Sequence, residues 1–306
     1  MFSRVIRLND LSDPRLAPYR SLRSRGDEQG LIAEGRWVVE RLLRSGRPVH
    51  SLLVTEGSSL IDELDGLFVG EGASSAVHRD QSATMQVFTL PKQRISELVG
   101  YPFHRGVLAH GPVPDFLPLE SFRSLTEGDR PLGLALLEIT DPENLGSLLR
   151  TAAAMGVGDI LIGPGTLTPF CRRVIRVSMA SVFYQRFYRV EDPVDDLRRF
   201  SDRGIRSVAT TLSPDATPLS ELVEALPFGP TLLLMGNEAK GLPSAVQQAA
   251  TARATLPMSG NVDSLNVAVS GAIFLYELSR QRQRDGSESN AFPESPSNRV
   301  AQQKHR

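Results

Sequence analysis

From Pro131 onward, the chain alternates apolar strand-like runs with helical patterns, and this alternation leaves few possible folds. Strands are predicted at 132–139, 159–162, 187–190, 207–211, 231–235 and 254–256. Helices are predicted at 145–155, 172–180, 194–203, 219–225, 243–250 and 265–280. Strands and helices that alternate in this way predict an α/β fold, in which a mostly parallel sheet carries helices on both faces.

The first half of the chain has a weaker pattern. Trp37, Val38, Arg41 and Leu42 follow a helical stripe that ends at Gly46, and a strand is predicted at 51–55. Further short strands are predicted at 87–90 and 106–109. Three prolines between 111 and 118, followed by a polar run, indicate a linker. We therefore divide the chain into a first domain at 1–110, a linker at 111–130, a second domain at 131–284 and a polar, disordered tail at 285–306.

Bulk composition excludes several classes of protein. The chain has 306 residues, 41% of them hydrophobic and 23% charged, as in globular proteins with two domains. No apolar run reaches the roughly 18 residues of a membrane span, and the N-terminus lacks the apolar core of a signal peptide. The single cysteine, Cys171, excludes an intramolecular disulfide and an all-cysteine metal cage. We expect a cytoplasmic protein with no membrane and no metal partner.

Positive charge is unevenly distributed, although the net charge is only −1. Residues 1–50 carry ten arginines and six acidic residues, and 166–190 carry five arginines and no acidic residue. With only three lysines in the chain, nearly all of this charge is guanidinium, which suits bidentate contacts with phosphate. A codon bias towards arginine in a GC-rich genome explains the same composition equally well.

Three short segments place polar side chains and glycines directly after apolar strands. The segments are 141–150 (DPENLGSLLR), 235–242 (MGNEAKGL) and 256–267 (LPMSGNVDSLNV). Strand ends are where ligands bind in α/β proteins, so three of them within about 130 residues suggest one composite site. The glycine spacing does not match a Walker A loop, and no G-x-G-x-x-G follows a strand, so a nucleoside triphosphate or ordinary dinucleotide site is not supported.

Each segment taken alone also has a structural explanation. Asp141 is a plausible N-cap for a helix that begins at Pro142; the start of such a helix attracts phosphate, but a capped surface helix with a solvated Arg150 also explains the segment. Gly236 and Gly241 fit a tight turn. Ser264 fits the N-cap of the last helix, and the small residues that follow it fit either close helix packing or a subunit interface.

In this order and spacing, the three segments resemble the three motifs of the SpoU/TrmH family of RNA 2′-O-ribose methyltransferases, within the SPOUT superfamily. The resemblance covers about residues 131–282. A looser resemblance to the family's small, ribosomal-protein-like α/β substrate-binding domain rests on 33–39 (AEGRWVV) and 51–55. Departures from the family pattern are Ala239, where glycine is common, and Leu256, where isoleucine is usual; neither removes a reactive group.

The resemblance implies a SPOUT fold with a deep trefoil knot, a homodimer and S-adenosylmethionine as cofactor. It implies an RNA substrate, with ribosomal RNA favoured over transfer RNA because of the added first domain. The catalytic group carried over by motif position is Asn144, Arg150, Glu238, Ser264 and Asn266. The cofactor-binding positions carried over are Thr210, Gly236, Asn237, Leu256, Met258 and Leu265.

Two questions stay open at the level of sequence. Arg150 either gives up its proton and acts as the base, or stays protonated, clamps the adjacent phosphate and polarises the ribose hydroxyl. The chain is either a ribose methyltransferase or a non-catalytic RNA-binding or assembly factor that keeps the fold. Intact Asn144, Arg150 and Glu238 favour the enzyme and also argue against a SPOUT enzyme that modifies a base nitrogen.

Overall fold

The computed structural model describes residues 5–23, 30–66, 85–122, 132–227, 229–259 and 263–284, without the side chains of 281–284. Its strands form two separate sheets, of five and seven strands. The five-stranded sheet lies within the predicted first domain and the seven-stranded sheet within the predicted second domain.

The first sheet has the strand order β1-β4-β3-β5-β2. β1, β4 and β3 run parallel, whereas β5 is antiparallel to both of its neighbours. The strands are β1 Val5–Arg7, β2 Leu31–Glu34, β3 Ser51–Thr55, β4 Gln86–Leu90 and β5 Val107–Gly111. Among the described residues of this domain, the helices are Pro14–Tyr19 (a 3-10 helix), α1 Arg36–Arg44, α2 Leu60–Asp65 and α3 Lys92–Val99.

Helix α1 differs from its predicted pattern in the face that it buries. Its buried residues are Val38, Val39, Leu42 and Leu43, which form a helical stripe against the sheet. Trp37, assigned to this stripe from the sequence, instead has 62% of its surface exposed. The prediction was wrong because two adjacent pairs of aliphatic residues, four apart, already complete the apolar face.

The second sheet has the order β10-β12-β9-β11-β6-β7-β8, and its ladder pairs are all parallel in the described residues. The predicted parallel sheet is therefore confirmed. Its strands are β6 Leu132–Leu136, β7 Asp159–Ile162, β8 Arg186–Arg189, β9 Arg206–Thr210, β10 Thr217–Pro218, β11 Thr231–Met235 and β12 Ala252–Thr255. Its helices are α4 Pro142–Ala154, α5 Arg172–Val177, α6 Pro193–Asp202, α7 Leu219–Ala225, α8 Ser244–Ala249 and α9 Val267–Arg284.

Helices cover both faces of this sheet, as alternation predicted. Leu134 and Leu136 of β6 belong to the core that contains Leu148 of α4 and Leu275 of α9. The alternate residue Ala135 joins a second core with Phe200 of α6. Successive strand residues point to opposite faces, so these two cores lie on the two sides of one sheet.

The predicted linker is partly built into the second sheet. Leu117 forms a parallel bridge with Tyr188 at the edge strand β8, and its amide donates to the carbonyl of Phe187 at 2.8 Å. Phe122 is fully buried against Tyr188 and Phe200. The linker prediction from 123 to 130 and the predicted disordered tail at 285–306 lie outside the described residues.

Within the described ranges, no helix is both long and apolar enough to cross a membrane. No group of three or more His, Cys, Asp or Glu side chains comes together there in a way that could hold a metal ion.

Candidate active site

The three polar segments meet at one edge of the second sheet. β6 precedes the first segment, β11 the second and β12 the third, and β9 ends at Thr210. The order β12-β9-β11-β6 makes these four strands consecutive neighbours, and they run parallel. Their carboxyl ends therefore lie side by side, as expected for a ligand site in an open α/β sheet.

The first segment forms the start of α4. Asp141 is its N-cap, and the Asp141 carboxylate accepts a hydrogen bond from the amide of Glu143 at 2.7 Å. Pro142 occupies the first helical position, where its missing N–H costs nothing. Gly146 faces α5, and a Cβ placed there would lie 2.6 Å from Cβ of Val177. The predicted cap at Asp141 and helix start at Pro142 are therefore confirmed, and the helix packs closely against α5.

The second segment is a tight loop fixed by Asn237. Its side-chain oxygen accepts hydrogen bonds from the amides of Ala239 and Lys240, both at 3.0 Å. Its Nδ2 donates to the carbonyl of Glu138 at 2.9 Å, which ties the loop to the end of β6. A Cβ at Gly236 would lie 2.4–2.6 Å from backbone atoms of Gly241 and Leu242, so only glycine fits there.

Three side chains from the three segments form one hydrogen-bonded cluster. Asn144 Nδ2 donates to Oε1 of Glu238 at 3.0 Å, and Asn144 Oδ1 accepts from Nδ2 of Asn266 at 2.8 Å. Asn144 thus bridges the other two residues. We call Asn144, Glu238 and Asn266 the polar cluster.

The third segment anchors the cluster through a helix cap. Asn266 Oδ1 accepts from the amide of Ala268 at 2.8 Å, so Asn266 is the cap of α9. Ser264, the cap suggested by the sequence, lies two residues earlier and is exposed. That suggestion was wrong because the helix begins at Val267, two residues later than predicted.

Arg150 is not hydrogen-bonded to the polar cluster in the described structure. It is exposed on α4, six residues beyond Asn144. Six residues of α-helix correspond to ~9 Å along the axis and a turn of about 120° away from Asn144. Arg150 therefore lies further along α4, on a different side of the helix from Asn144.

The positions carried over for cofactor binding surround the same edge. Thr210 Oγ1 donates to the carbonyl of Leu234 at 3.0 Å and joins the ends of β9 and β11. Leu256 and Met258 are half-buried, while Leu265 has 37% of its surface exposed. Part of the third segment, residues 260–262, lies outside the described residues.

Leu212 is an exposed apolar residue at this edge that the sequence reasoning missed. It follows β9 by two residues and has 62% of its surface exposed. In a sequence, an apolar residue just beyond an apolar strand looks like a further core residue. Only its position at the shared edge of the sheet distinguishes Leu212 from the residues of the core. Leu212 and Leu265 together give the edge an accessible apolar surface beside its polar groups.

Comparison with known proteins agrees with this architecture. The SpoU rRNA Methylase family profile matches residues 131–276. An uncharacterised tRNA/rRNA methyltransferase of Mycobacterium tuberculosis is 33% identical over 280 residues, covering 89% of this chain and 90% of that protein. The 23S rRNA (guanosine-2′-O-)-methyltransferase RlmB of Acinetobacter baylyi is 34% identical over 196 residues, covering 62% of this chain and 77% of RlmB.

A solved structure extends the likeness to three dimensions. The AdoMet-bound rRNA methyltransferase from Sinorhizobium meliloti superposes with a TM-score of 0.70 at 25% identity, covering 92% of this chain and 99% of that one. The fold and the edge site thus define an RNA methyltransferase of the α/β class. The chain belongs to the SpoU/TrmH family, which confirms the resemblance carried by the three motifs.

Proposed function

We propose that this protein transfers a methyl group from S-adenosylmethionine to a ribose 2′-hydroxyl of RNA, with ribosomal RNA as the substrate. The observation that carries the proposal is the polar cluster, in which one residue from each motif is hydrogen-bonded at a shared strand edge. Support for ribosomal RNA comes from RlmB, whose name gives 23S rRNA as its substrate. We expect the protein to act in the cytoplasm on this RNA.

The edge fits the cofactor chemically. An adenine ring needs an apolar surface and hydrogen-bonding backbone groups, and the exposed side chains of Leu212 and Leu265 supply the first. The loops at Gly236 and at 256–258 supply the second. A side chain at Gly236 would meet backbone atoms of Gly241 and Leu242, so glycine at this position keeps the loop in its closed shape. The bound cofactor supplies an activated methyl group on a sulfonium, and this chemistry needs no metal.

The side chains of the cluster would orient the RNA. Glu238 fixes the amide of Asn144, so the remaining polar atoms of the cluster are presented in set directions to the ribose. Arg150, exposed further along α4, would clamp the neighbouring phosphate and polarise the hydroxyl. Ser264 would hold the loop against the sugar. The clamp is the minimum role of Arg150, whether or not it also takes the proton.

We further propose that the second domain is knotted and that the first domain binds RNA. Support for the trefoil knot comes from the family resemblance of the three motifs, which lie in the residues that the family profile matches. Support for the RNA-binding role is the arginine-rich composition of 1–50 and the family resemblance of 33–39 and 51–55.

We also propose a homodimer formed through α9. Gly271 packs against Leu148 on the inner face of this helix. On the outer face Val269, Ile273 and Tyr276 are 49%, 37% and 48% exposed, at the i, i+4, i+7 spacing of one helical stripe. A second copy of the same helix would cover this stripe, as closed two-fold symmetry allows.

Calorimetric titration of the purified protein with S-adenosylmethionine separates the enzyme from a non-catalytic factor. The proposal expects saturable, stoichiometric binding that is lost in Gly236→Ala and kept in Gly158→Ala, whose Cβ would meet no atom within 4 Å. A folded wild-type protein that binds no cofactor would favour the non-catalytic RNA-binding factor.

A further inference from the structure

The single tryptophan of the chain is exposed on the first domain. Trp37 has 62% of its surface exposed at the start of α1, and the guanidinium of Arg36 lies 5.3 Å from its ring centroid. A large aromatic side chain is costly to leave in water, and a cation covers only one of its two faces. The exposed surface of Trp37 is therefore available for stacking.

Arginines and a tyrosine continue this surface across to the second domain. Arg41 lies one turn after Trp37 on the same face of α1, and its guanidinium donates to the carbonyl of Met179 at 2.5 Å. The hydroxyl of Tyr184 donates back to the carbonyl of Arg41 at 2.9 Å. Tyr184 is itself 56% exposed. We call Trp37, Arg41, Arg44 and Tyr184 the aromatic–arginine strip.

The strip carries more positive charge than its partners remove. Arg44 pairs with Glu40 at 2.7 Å, but among the described carboxylates none forms an ion pair with Arg41. Exposed aromatic rings beside guanidinium groups are what single-stranded nucleic acid binds, because bases stack on the rings and phosphates meet the charges. A protein partner would instead favour a continuous apolar patch, such as the one on α9.

Contacts link the strip to the helix that carries Arg150. Gln185 follows Tyr184 directly, is buried, and donates to the carbonyl of Leu149 at 3.1 Å. Arg47 of the first domain donates to the carbonyl of Phe183 at 2.9 Å. Tyr184 is thus held between α1 and α4.

We infer that the aromatic–arginine strip binds unpaired nucleotides of the RNA substrate, with bases stacked on Trp37 and Tyr184 and phosphates held by Arg41 and Arg44. This inference rests on the proposed function, since it takes RNA as the substrate. Both domains then contribute residues to one RNA-binding surface of the protein.

Because Trp37 is the sole tryptophan, its fluorescence reports this surface alone. A 12-nucleotide oligouridylate titrated into the full-length protein should quench it saturably, while the same length of RNA duplex should quench it much more weakly. Binding is measured in parallel by the anisotropy of fluorescein-labelled oligouridylate. Unchanged tryptophan fluorescence while anisotropy reports binding, or no binding at all, would overturn the inference. Quenching of tryptophan fluorescence that depends on protein concentration rather than on RNA concentration would also overturn the inference, and would assign the surface to self-association.

Variants test each part of the strip by anisotropy. Trp37→Ala and Tyr184→Ala should each weaken oligouridylate binding about 10-fold, the usual loss when one stacked base loses its ring. Trp37→Phe should recover most of that loss. Arg41→Ala should reduce the salt dependence of binding, whereas Arg198→Ala, an exposed arginine on α6, should not. Equal effects of Arg41→Ala and Arg198→Ala would count against the strip.

Calorimetry with S-adenosylmethionine on the same preparations keeps the two proposals apart. Oligouridylate that quenches Trp37 in a protein with no affinity for the cofactor would leave the strip standing and refute the methyltransferase. If the protein methylates RNA and its Trp37→Ala variant has an unchanged KM for RNA, the methyltransferase proposal stands and the aromatic–arginine strip is refuted.

Discussion

Asn144 joins the three motifs through its side-chain hydrogen bonds. Among the described side chains, its amide alone contacts both Glu238 and Asn266. An asparagine suits this position because it donates from one end and accepts at the other. A carboxylate of the same shape has no donor to offer.

Asn144→Asp should therefore damage the enzyme more than Asn144→Ala. The new carboxylate would face Glu238 with like charge, and about 10- to 100-fold of kcat should be lost beyond the loss from alanine, from the ~1.5–3 kcal/mol of a charged hydrogen bond. Single-turnover kinetics with saturating cofactor measure this difference. Equal rates for the two variants would contradict the direct contact between position 144 and the Glu238 carboxylate.

Gly236 sets the shape of the second loop. Gly236→Ala places a methyl group 2.4–2.6 Å from backbone atoms, which cannot move aside as a flexible side chain could. We expect ~2–4 kcal/mol of lost stability and at least a tenfold loss of cofactor affinity. Urea unfolding and calorimetry measure the two effects. The matched control Gly158→Ala should change neither, and a Gly236→Ala protein that behaves like it would contradict the close packing of this loop.

At this scale the sequence predicts which residues lie at the site but not how they are joined. Polar segments directly after apolar strands indicated one composite site, and the resemblance of the three motifs to the SpoU/TrmH family named Asn144, Glu238 and Asn266 within it. The cap at Asn266 rather than Ser264 depends on where α9 starts, and helix ends are set by capping bonds that periodicity does not register. The turn of Arg150 away from the cluster likewise needs the helix in three dimensions.

Helix α5 joins the two domains through one arginine. Arg172 donates to the hydroxyl of Tyr101 at 2.7 Å and to the carbonyl of Leu22 at 3.0 Å, and lies 3.6 Å from the buried carboxylate of Glu34. Arg105 also approaches Glu34, at 3.5 Å. Burial, together with the nearby Glu34 carboxylate, raises the pKa of Tyr101, which keeps its hydroxyl neutral and able to donate to Glu34 at 3.1 Å.

Arg172→Ala should loosen this junction. It leaves the Glu34 carboxylate with a weaker partner in a buried place, and such losses cost about 3 kcal/mol or more. Hydrogen exchange should rise at β2 and at Leu22, and the melting temperature should fall. Arg253→Ala, which removes an ion pair with the exposed Asp215, is the matched control and should shift neither. Unchanged hydrogen exchange at β2 in Arg172→Ala would show that Arg172 does not stabilise the contact between the two domains.

Strands of the second domain were predicted more accurately than β1 and β2 of the first domain, and the difference has a physical reason. In the second domain, buried parallel strands give continuous apolar runs, so β7 and β11 were predicted at their observed bounds. In the first domain β1 and β2 have three and four residues, one of them carrying the buried Glu34. Runs that short give no periodicity, and they become strands only through their partners in the sheet.

At the scale of the molecule, the exposed stripe on α9 predicts the oligomeric state. Ile273→Glu would place an uncompensated charge in the proposed interface and should convert a dimer into a monomer at micromolar concentration. Light scattering coupled to gel filtration measures the mass. Val113→Glu, at a similarly exposed apolar residue outside α9, should leave the dimer intact. A wild-type protein that is monomeric would contradict the proposed interface.

The proposed activity depends on a methyl group being placed on ribose by a site that includes Arg150. RNA from cells that lack the gene is incubated with the protein and methyl-labelled S-adenosylmethionine, then digested to nucleosides and separated by mass. We predict label in a 2′-O-methylnucleoside, none with Arg150→Ala, and nearly equal cofactor affinity for the two proteins. Label on a base, or undiminished ribose methylation by Arg150→Ala, would contradict this activity.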